Sequence, residues 1–398
     1  MIRIFEILVA LVIVVVLAAV VGVLLPSHGH IERRIEVSSP LRQIYDSVDT
    51  FRRYPQWSGL RGYDPATRMT LSGPESGPGA KVAWTSSHPT VGDGSLEIVS
   101  DKQDEQVKIA VDNGWVGTNK TYTVDLIPSS NGKTNTIRVA YDVDYGWNLL
   151  WRYGGLYING DPATVVQGGL NSLAALLAGY PNTDYSGQDI QVVDVAARPV
   201  FLVNTRAPRS LSEVEEATDA AMAQIEEAMT AAGLSAAGPR MTITTRWDTD
   251  EYSFAVAVPV DSATFTLDDT QYTIEAPVKQ SLLSEDDQAA EPEPQPADDA
   301  EAAEDTGPQP GDKDDEGMLI VNEHVRATLW YQGKALATDY TGSPAALPAL
   351  RLNQRAYAET HGYRYNPDAT MGRFWDELVS TDAEAGEQEF KVYLPIQL

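Results

Sequence analysis

Cysteine is missing from the 398-residue sequence, and histidine occurs only five times. A chain without cysteine forms no disulfide bond, has no thiolate nucleophile and cannot bind zinc through sulfur. His88, His324 and His361 have no second histidine or carboxylate at the spacing of a metal site, and His28 and His30 adjoin a long apolar run. We therefore predict no metal site.

Basic residues are also scarce, because 29 lysines and arginines stand against 57 aspartates and glutamates. The resulting net charge of -28 repels the phosphates of nucleic acids, so we expect no nucleic-acid partner. Such acidity is typical of a highly soluble surface, and an acidic docking surface is the alternative. The glycine motifs of P-loops, dinucleotide sites and nucleophile elbows are missing too, so we predict no cofactor.

What the sequence does contain is an unbroken apolar run from Ile7 to Leu25, close to the ~20 residues that cross a bilayer. The run exceeds the usual core of a signal peptide, and no small-x-small cleavage motif precedes Pro26. Residues 1–30 are therefore predicted to be an uncleaved transmembrane anchor, with a removed signal peptide as the alternative. We expect a single-pass protein of a bacterial inner (cytoplasmic) membrane whose soluble domains lie outside the cytoplasm. Arg33 and Arg34, after the run, argue for the opposite orientation.

Residues 31–180 have the pattern of a curved antiparallel sheet closed by one long helix. Ile31 to Val37 alternates apolar and charged side chains, and Leu41 to Asp49 follows as a short helix. Further strands are predicted over Ala80–Ser86, Gly94–Ser100, Gln106–Asp112, Thr118–Leu126 and Thr134–Asp144. From Pro162 to Gly179, leucine and valine recur at the spacing of a buried helical face. These elements predict one domain of mixed α+β class.

Residues 188–398 contain the order strand, helix, strand, strand twice. The first copy is predicted over Ile190–Arg206, Ser212–Ala232, Met241–Trp247 and Ser253–Val260, and the second over Met318–Tyr331, Pro348–His361, Arg373–Ser380 and Glu389–Ile396. We predict a duplicated βαββ domain with a cleft between its halves. Between the copies, at about 284–317, acidic residues, alanine and proline predominate, which predicts a disordered acidic insertion.

An aromatic turn follows the first helix of the first domain, in Phe51-Arg-Arg-Tyr-Pro-Gln-Trp57. Pro55 fixes one backbone angle, and the rings of Tyr54 and Trp57 are suited to clamp the turn against the core. A packed structural turn is one interpretation of this segment. The other is that Tyr54 or Trp57 lines the mouth of a ligand cavity.

The first domain resembles the SRPBCC group of polyketide cyclase or dehydrase-like, START-related domains. The likeness is carried by Ile35-Glu-Val-Ser-Ser-Pro40, by the aromatic turn at 51–57, and by Val91-Gly-Asp-Gly94. It covers about residues 31–180. The resemblance implies a helix-grip (START/Bet v 1-like) fold, with an apolar cavity between the sheet and its long carboxyl-terminal helix.

The second domain, residues 188–398, resembles GyrI-like small-molecule-binding domains. The resemblance depends on the internal repeat and on Val258-Pro-Val260, Phe374-Trp-Asp-Glu377 and Leu394-Pro-Ile396. It implies that Glu377 is a pocket carboxylate beside aromatic residues. In an apolar cleft such a group would attract a cationic ligand or act as a general acid or base, and a solvated strand carboxylate is the alternative.

Tryptophan supplies the remaining candidates for ligand contact, because aromatic rings line many pockets for apolar ligands. The predicted ligand-binding residues are Trp57, Trp84, Trp115, Trp147, Trp375 and Glu377. Core packing is the competing interpretation for each ring. No catalytic residue is assigned, except Glu377 if the chain is an enzyme.

Together these features predict a membrane-anchored binding protein for lipid or another hydrophobic small molecule, with a second effector-type ligand-binding domain. Its expected partners are a hydrophobic or cationic small molecule and the membrane, through residues 7–25. The alternative is a cyclase, dehydratase or hydrolase that acts on a small carbonyl compound. We favour the binder, because no pair of base and nucleophile is apparent in the sequence.

Overall fold

The computed structural model describes residues 2–130, 132–277, 309–382 and 387–397. The chain divides into two compact units, one of Met1–Ser186 with Glu359–Gly362 and one of Gly187–Ala358 with Tyr363–Leu398. Each unit combines antiparallel sheets with helices, so the predicted α+β class is confirmed.

The first unit begins with a long apolar helix, α1 (Ile2–Leu24). Within it, Ile4–Leu24 has a mean hydropathy of 3.5 and is long and apolar enough to cross a membrane. Its aliphatic side chains are largely exposed, as at Val14, where 61% of the residue is accessible. By length and composition this helix fits the predicted anchor.

The first unit contains a seven-stranded antiparallel sheet. Its strands are β1 (His28–Val37), β2 (Arg68–Ser72), β3 (Lys81–Thr85), β4 (Gly94–Lys102), β5 (Gln106–Asn113), β6 (Thr118–Pro128) and β7 (Asn135–Asp144). They are ordered β1-β7-β6-β5-β4-β3-β2, so the first two strands occupy opposite edges. The chain crosses from one edge to the other through α2 (Leu41–Asp49) and α3 (Tyr54–Trp57).

Two more helices follow the last strand, α4 (Leu149–Gly154) and the long α5 (Asp161–Ala178). Pro162 starts α5 at a position where the missing amide hydrogen is harmless. One face of α5 is buried against the sheet through Ala163, Val165, Val166, Gly169, Leu170, Leu173 and Leu177. An antiparallel sheet packed against one long carboxyl-terminal helix is the arrangement expected of a helix-grip fold.

The second unit contains a nine-stranded antiparallel sheet and a separate hairpin. The strands are β8 (Gln191–Val195), β9 (Arg198–Pro208), β10 (Met241–Trp247), β11 (Glu251–Pro259), β12 (Thr264–Leu267), β13 (Thr270–Thr273), β14 (Leu319–Ile320), β15 (Val325–Trp330), β16 (Gly333–Gly342), β17 (Trp375–Asp382) and β18 (Glu387–Pro395). The sheet order is β14-β15-β9-β11-β10-β17-β18-β16-β8, and β12 pairs with β13. The predicted single strand over 190–206 is therefore wrong, because it is two strands that pair with different partners.

Helices α6 (Leu211–Ala232) and α7 (Leu347–His361) connect the strands of this sheet. Ser210 caps α6, since its hydroxyl accepts a hydrogen bond from the amide of Glu213 at 3.3 Å. Gly233 ends α6 with φ of 68°, a left-handed conformation that favours glycine. Ala221 and Ile225 of α6 pack on one face of β9 and β11, whereas Val200 and Leu202 belong to the opposite face.

The predicted acidic insertion, about 284–317, falls partly outside the described residues, which resume at 309. Residues 309–317 form turns, and Asp314 accepts hydrogen bonds from the amides of Glu316 and Met318 at 3.0 and 2.9 Å. Glu316 in turn accepts two hydrogen bonds from Arg373, at 2.7 and 3.1 Å. The carboxyl-terminal boundary of the predicted disorder is therefore corrected, because carboxylates in this part have specific partners.

Candidate functional site

An apolar cavity lies between the seven-stranded sheet and α5, where the helix-grip resemblance places one. Its volume is about 60 Å³, well below the roughly 300 Å³ at the low end of small-molecule pockets. The lining consists of Val48, Tyr54, Trp57, Gly59, Leu96, Ile109, Tyr122, Val124, Val139, Val165, Val166, Gly169, Leu170 and Leu173. The cavity has the expected apolar lining, and its small volume in this conformation excludes all but the smallest guests.

The aromatic turn forms one wall of this cavity. The ring of Tyr54 packs edge-on against Trp57 with centroids 4.8 Å apart, and against Phe51 at 5.7 Å. Behind it, a Cβ built on Gly59 would lie 1.9 Å from the carbonyl oxygen of Val165, so the turn touches the backbone of α5. Tyr54 and Trp57 therefore clamp the turn and are also among the residues that line the cavity.

Polar groups at the cavity carry no charge. The indole Nε1 of Trp57 is buried and has no hydrogen-bond partner among the residues that the structure describes. Burial raises the pKa of Tyr122 well above its ordinary value and that of Tyr54 to about 12, so both phenols stay protonated. A buried donor without a partner is costly. The site therefore suits an apolar molecule that carries one hydrogen-bond acceptor.

The other tryptophans predicted for this unit do not line the cavity. Trp84 is 3% exposed and belongs to the core. Trp115 donates a hydrogen bond from Nε1 to the carbonyl of Thr90 at 3.2 Å and packs edge-on against Tyr141. Trp147 lies at the surface, where 85% of the residue is exposed. Among the predicted ligand-binding residues of this unit, Trp57 lines the cavity. Tyr122 also lines it and was not predicted, although the alternation of side chains along β6 could have indicated it.

A second set of candidate residues lies on β17, in the other unit. Trp375 is fully buried and stacks on Tyr393 with ring centroids 4.6 Å apart. Tyr331 and Trp330 surround the same indole at 5.8 and 6.1 Å. These rings occupy the face of the sheet opposite the one that α6 covers. Packed rings, rather than an open cleft, are what immediately surround Trp375.

Glu377 is buried, so the alternative of a solvated strand carboxylate is excluded. Arg198 donates a short hydrogen bond to its Oε1, and Trp375 Nε1 lies 3.4 Å from the same oxygen. The hydroxyl of Tyr393 donates to Oε2 at 3.5 Å, and burial with Glu377 nearby raises the pKa of that phenol. The predicted grouping of Glu377 with aromatic rings is present. Arg198, which the sequence did not reveal, already balances its charge.

Asp376 points to the other face of the same strand, as the alternation of a strand requires. It forms a buried ion pair with Arg351 of α7. Burial opposes the charge on Arg351, but Asp376 and Tyr252 outweigh it and raise the pKa of the guanidinium. This pair ties α7 to the sheet.

A larger cleft of about 390 Å³ lies beside α6 and was not predicted. Its lining is mainly polar and includes Asn204, Thr205, Gln224, Glu323 and His324. Arg326 and Asp314 also line it and form an ion pair with atoms 3.5 Å apart. The lining differs in chemistry from the apolar cavity of the first unit.

Buried carboxylates cluster at α2 in the first unit. Asp46 accepts hydrogen bonds from Arg42 at 3.1 Å and from the hydroxyl of Tyr185 at 2.7 Å. Asp49 has one buried oxygen, Oδ1, without a partner in the described part of the chain. Burial, then Asp101 and Asp46, raise the pKa of Asp49 to about 7. Asp49 is therefore the carboxyl of this cluster that we expect to titrate near neutral pH.

Comparison with known proteins finds matches to solved structures over part of the chain. No family model and no curated protein matches the chain. A point mutant of norcoclaurine synthase from Thalictrum flavum, in complex with a transition-state analogue, has 12% identity and a TM-score of 0.31, covering 38% of this chain and 94% of that one. Ara h 8.0201 has 12% identity and a TM-score of 0.27, covering 38% and 98%. A protein from Nitrosospira multiformis has 15% identity and a TM-score of 0.28, covering 40% and 99%.

Proposed function

We propose that this chain is a membrane-anchored binding protein for a hydrophobic small molecule, held between the seven-stranded sheet and α5. One observation carries the proposal: the cavity is lined by aliphatic and aromatic side chains, among them Trp57, whose buried Nε1 has no hydrogen-bond partner in the described part of the chain. Burying apolar surface away from water is favourable by about 25 cal/mol per Å². A guest with one acceptor group would bury such surface and satisfy the indole.

The closed cavity must widen for such a guest to bind. The wall most suited to movement is α3, because a helix of four residues has little stability of its own. Trp57 is only partly buried, so displacing it exposes limited additional surface. Outward rotation of Trp57 with α3 would enlarge the cavity.

Anchoring through α1 gives such a binder access to its ligand. The apolar segment Ile4–Leu24 spans about 32 Å at 1.5 Å per residue, against a hydrocarbon core of about 30 Å. Hydrophobic molecules partition into a bilayer, so a tethered cavity meets them at high local concentration. We propose that both folded units lie on the extracytoplasmic side.

For the second unit we propose a duplicated, GyrI-like ligand-binding domain. The strand order β15-β9-β11-β10 is mirrored by β8-β16-β18-β17 across the β10–β17 pair, which supports a pseudo-twofold repeat. Glu377 and its rings are at that central pair. A cationic ligand of this domain would have to displace Arg198 from the carboxylate.

Cavity filling tests the binding proposal. Val139→Phe adds a bulky side chain to the lining, and Val99→Phe makes the same change at a position that is 45% exposed on β4. The full chain is reconstituted in vesicles that contain palmitate, extracted and analysed by native mass spectrometry. We expect the wild type and Val99→Phe to retain palmitate and Val139→Phe to retain several-fold less.

Equal retention by all three proteins would mean that palmitate associates with the surface of α1 rather than the cavity. Thermal unfolding of each variant shows whether Val139→Phe is still folded. If it is not, Val139→Leu, which adds one methylene, replaces it with a smaller expected loss.

A further inference from the structure

A cluster of exposed apolar side chains surrounds α4, and neither proposed ligand site accounts for it. The exposed fractions are 85% for Trp147, 80% for Leu150, 61% for Leu156 and 76% for Tyr157. We call these four residues the α4 patch. Large apolar side chains at such exposure in one short segment mark an interaction surface.

Helix α4, around which the α4 patch lies, packs directly against α1. A Cβ built on Gly22 would lie 3.1 Å from Cβ of Leu149 and 3.4 Å from the ring of Tyr153, so glycine allows the two helices to touch. The hydroxyl of Tyr153 also donates a hydrogen bond to the carbonyl of Ala18 at 2.6 Å. Ala18 lies within the apolar segment, about 9 Å before its end at Leu24.

Arg152 fixes the end of α1 to the same segment. Its Nη1 donates hydrogen bonds to the carbonyls of Val23 and Leu25, at 3.0 and 3.2 Å, where the helix leaves carbonyls without helical partners. Its Nε donates to the carbonyl of Gly146 at 2.9 Å. The residue is only 7% exposed, and its guanidinium lies 5.3 Å from the ring centroid of Trp147. The guanidinium of Arg152 is therefore hydrogen-bonded within the protein.

We propose that the α4 patch is a second membrane contact, immersed at the boundary between headgroups and acyl chains of the bilayer that α1 crosses. The inference depends on the proposed anchoring of α1. If α1 spans the bilayer, the contact at Ala18 places α4 at the depth of the helix end. Tryptophan and tyrosine with neighbouring leucines are the residues that favour this interface.

The contact depends on apolar burial rather than on anionic lipid. Arg152, within α4, is already hydrogen-bonded to carbonyls of the chain, and the net charge of -28 opposes attraction to acidic headgroups. Vesicles of phosphatidylcholine should therefore support it as well as vesicles that include phosphatidylglycerol. Leu25, Pro26 and Ser27 alone separate α1 from β1, so the contact would hold the first unit against the membrane.

The absence of cysteine makes the test direct, because one introduced cysteine is the only site of labelling. Leu150→Cys and Leu156→Cys report on the α4 patch, Leu71→Cys on β2 is an exposed control, and Val14→Cys reports on α1. Each full-length variant carries an NBD fluorophore in phosphatidylcholine vesicles, with nitroxide-bearing lipids or aqueous iodide as quenchers. We expect lipid nitroxide to quench the labels at 14, 150 and 156 several-fold more than the label at 71.

One outcome is that lipid nitroxide quenches the label at 14, while iodide reaches the labels at 150 and 156 as readily as the label at 71. This outcome would overturn the membrane contact of the α4 patch and support the anchor. Quenching at 150 and 156 but not at 14 would support the patch and contradict the anchor. If the labels at 14, 150 and 156 are all quenched like the label at 71, both the anchor and the membrane contact of the α4 patch are contradicted. A response that requires phosphatidylglycerol would overturn the proposed apolar mode of contact.

Discussion

Arg198 of β9 donates a hydrogen bond to Glu377 of β17, and the two residues differ in exposure. The Glu377 side chain is 8% exposed, whereas that of Arg198 is 31% exposed. The carboxylate therefore depends on the guanidinium for charge compensation, and the guanidinium can turn toward water if the carboxylate is lost. Removing Arg198 should therefore destabilise the fold more than removing the charge of Glu377.

We predict that Arg198→Met lowers the free energy of unfolding by about 3 kcal/mol at neutral pH, and Glu377→Gln by about 1 kcal/mol. Denaturant titration at neutral pH measures both losses. Arg246→Met, at a pair whose side chains are 73% and 46% exposed, is the control and should change little. An equal or larger loss in Glu377→Gln would contradict this view of the pair.

The carboxyl of Asp49 should make the first unit less stable at alkaline than at acidic pH. Its pKa, about 7 when folded, exceeds that of an unfolded aspartate, about 3.9, so the folded state holds the proton more tightly between these values. The stabilisation is complete below about pH 4 and is lost as the pH rises through 7. The side chain in Asp49→Asn stays neutral at every pH. As the pH rises from 5 to 8, the free energy of unfolding of this variant should therefore increase by about 1 to 3 kcal/mol relative to that of the wild type.

Unfolding of the full chain at the two pH values measures this difference. Asp112→Asn, at an exposed position of β5, is the matched control and should show no such gain. A wild type whose stability relative to Asp49→Asn is the same at pH 5 and pH 8 would contradict the assignment.

Gly59 controls how closely the aromatic turn approaches α5. Gly59→Ala would place Cβ 1.9 Å from the Val165 carbonyl, so the turn must move away from the helix. We expect a loss of about 2 to 4 kcal/mol in stability and faster hydrogen exchange over residues 54–62. Gly62→Ala is the control, because its Cβ would meet nothing within 4 Å. Similar exchange in the two variants would mean that contact with α5 does not hold the turn.

Gly22 limits the space where α1 meets α4, because its Cβ would lie 3.1 Å from Cβ of Leu149. Gly22→Leu forces a side chain into the space beside Leu149 and Tyr153, and we expect α4 to separate from α1. Limited proteolysis of the full chain should then cleave several-fold faster within residues 145–160. Val20→Leu, at a position that is 52% exposed, should be cleaved at the wild-type rate. Unchanged cleavage in Gly22→Leu would contradict close packing of the helices.

Local patterns predicted most elements of the fold. The helix over Leu41–Asp49 is confirmed at both ends, and the strands that became β3 to β7 are confirmed within two residues or so of their ends. β16 was missed, because small and polar residues in Gly333–Gly342 obscure the alternation. α4 was missed because a helix of six residues shows too little periodicity to be recognised.

Long-range partners could not be predicted in the same way. Arg198 and Glu377 lie 179 positions apart in the chain and meet only because β9, β11, β10 and β17 are neighbours in one sheet. The exposure of Trp147 depends on where α4 packs, which no local pattern encodes. The volume of the cavity could not be predicted from the sequence either, because it depends on how the side chains of Trp57 and Tyr54 are oriented.

Photo-crosslinking tests binding in the first unit most directly. The full chain, in vesicles that contain palmitate with a diazirine in its acyl chain, is irradiated and digested, and the modified peptides are identified. We predict adducts on peptides that contain Trp57 and Leu170, several-fold reduced in Val139→Phe and unchanged in Val99→Phe. Adducts confined to α1 and the α4 patch in all three proteins would contradict a ligand cavity beneath α5.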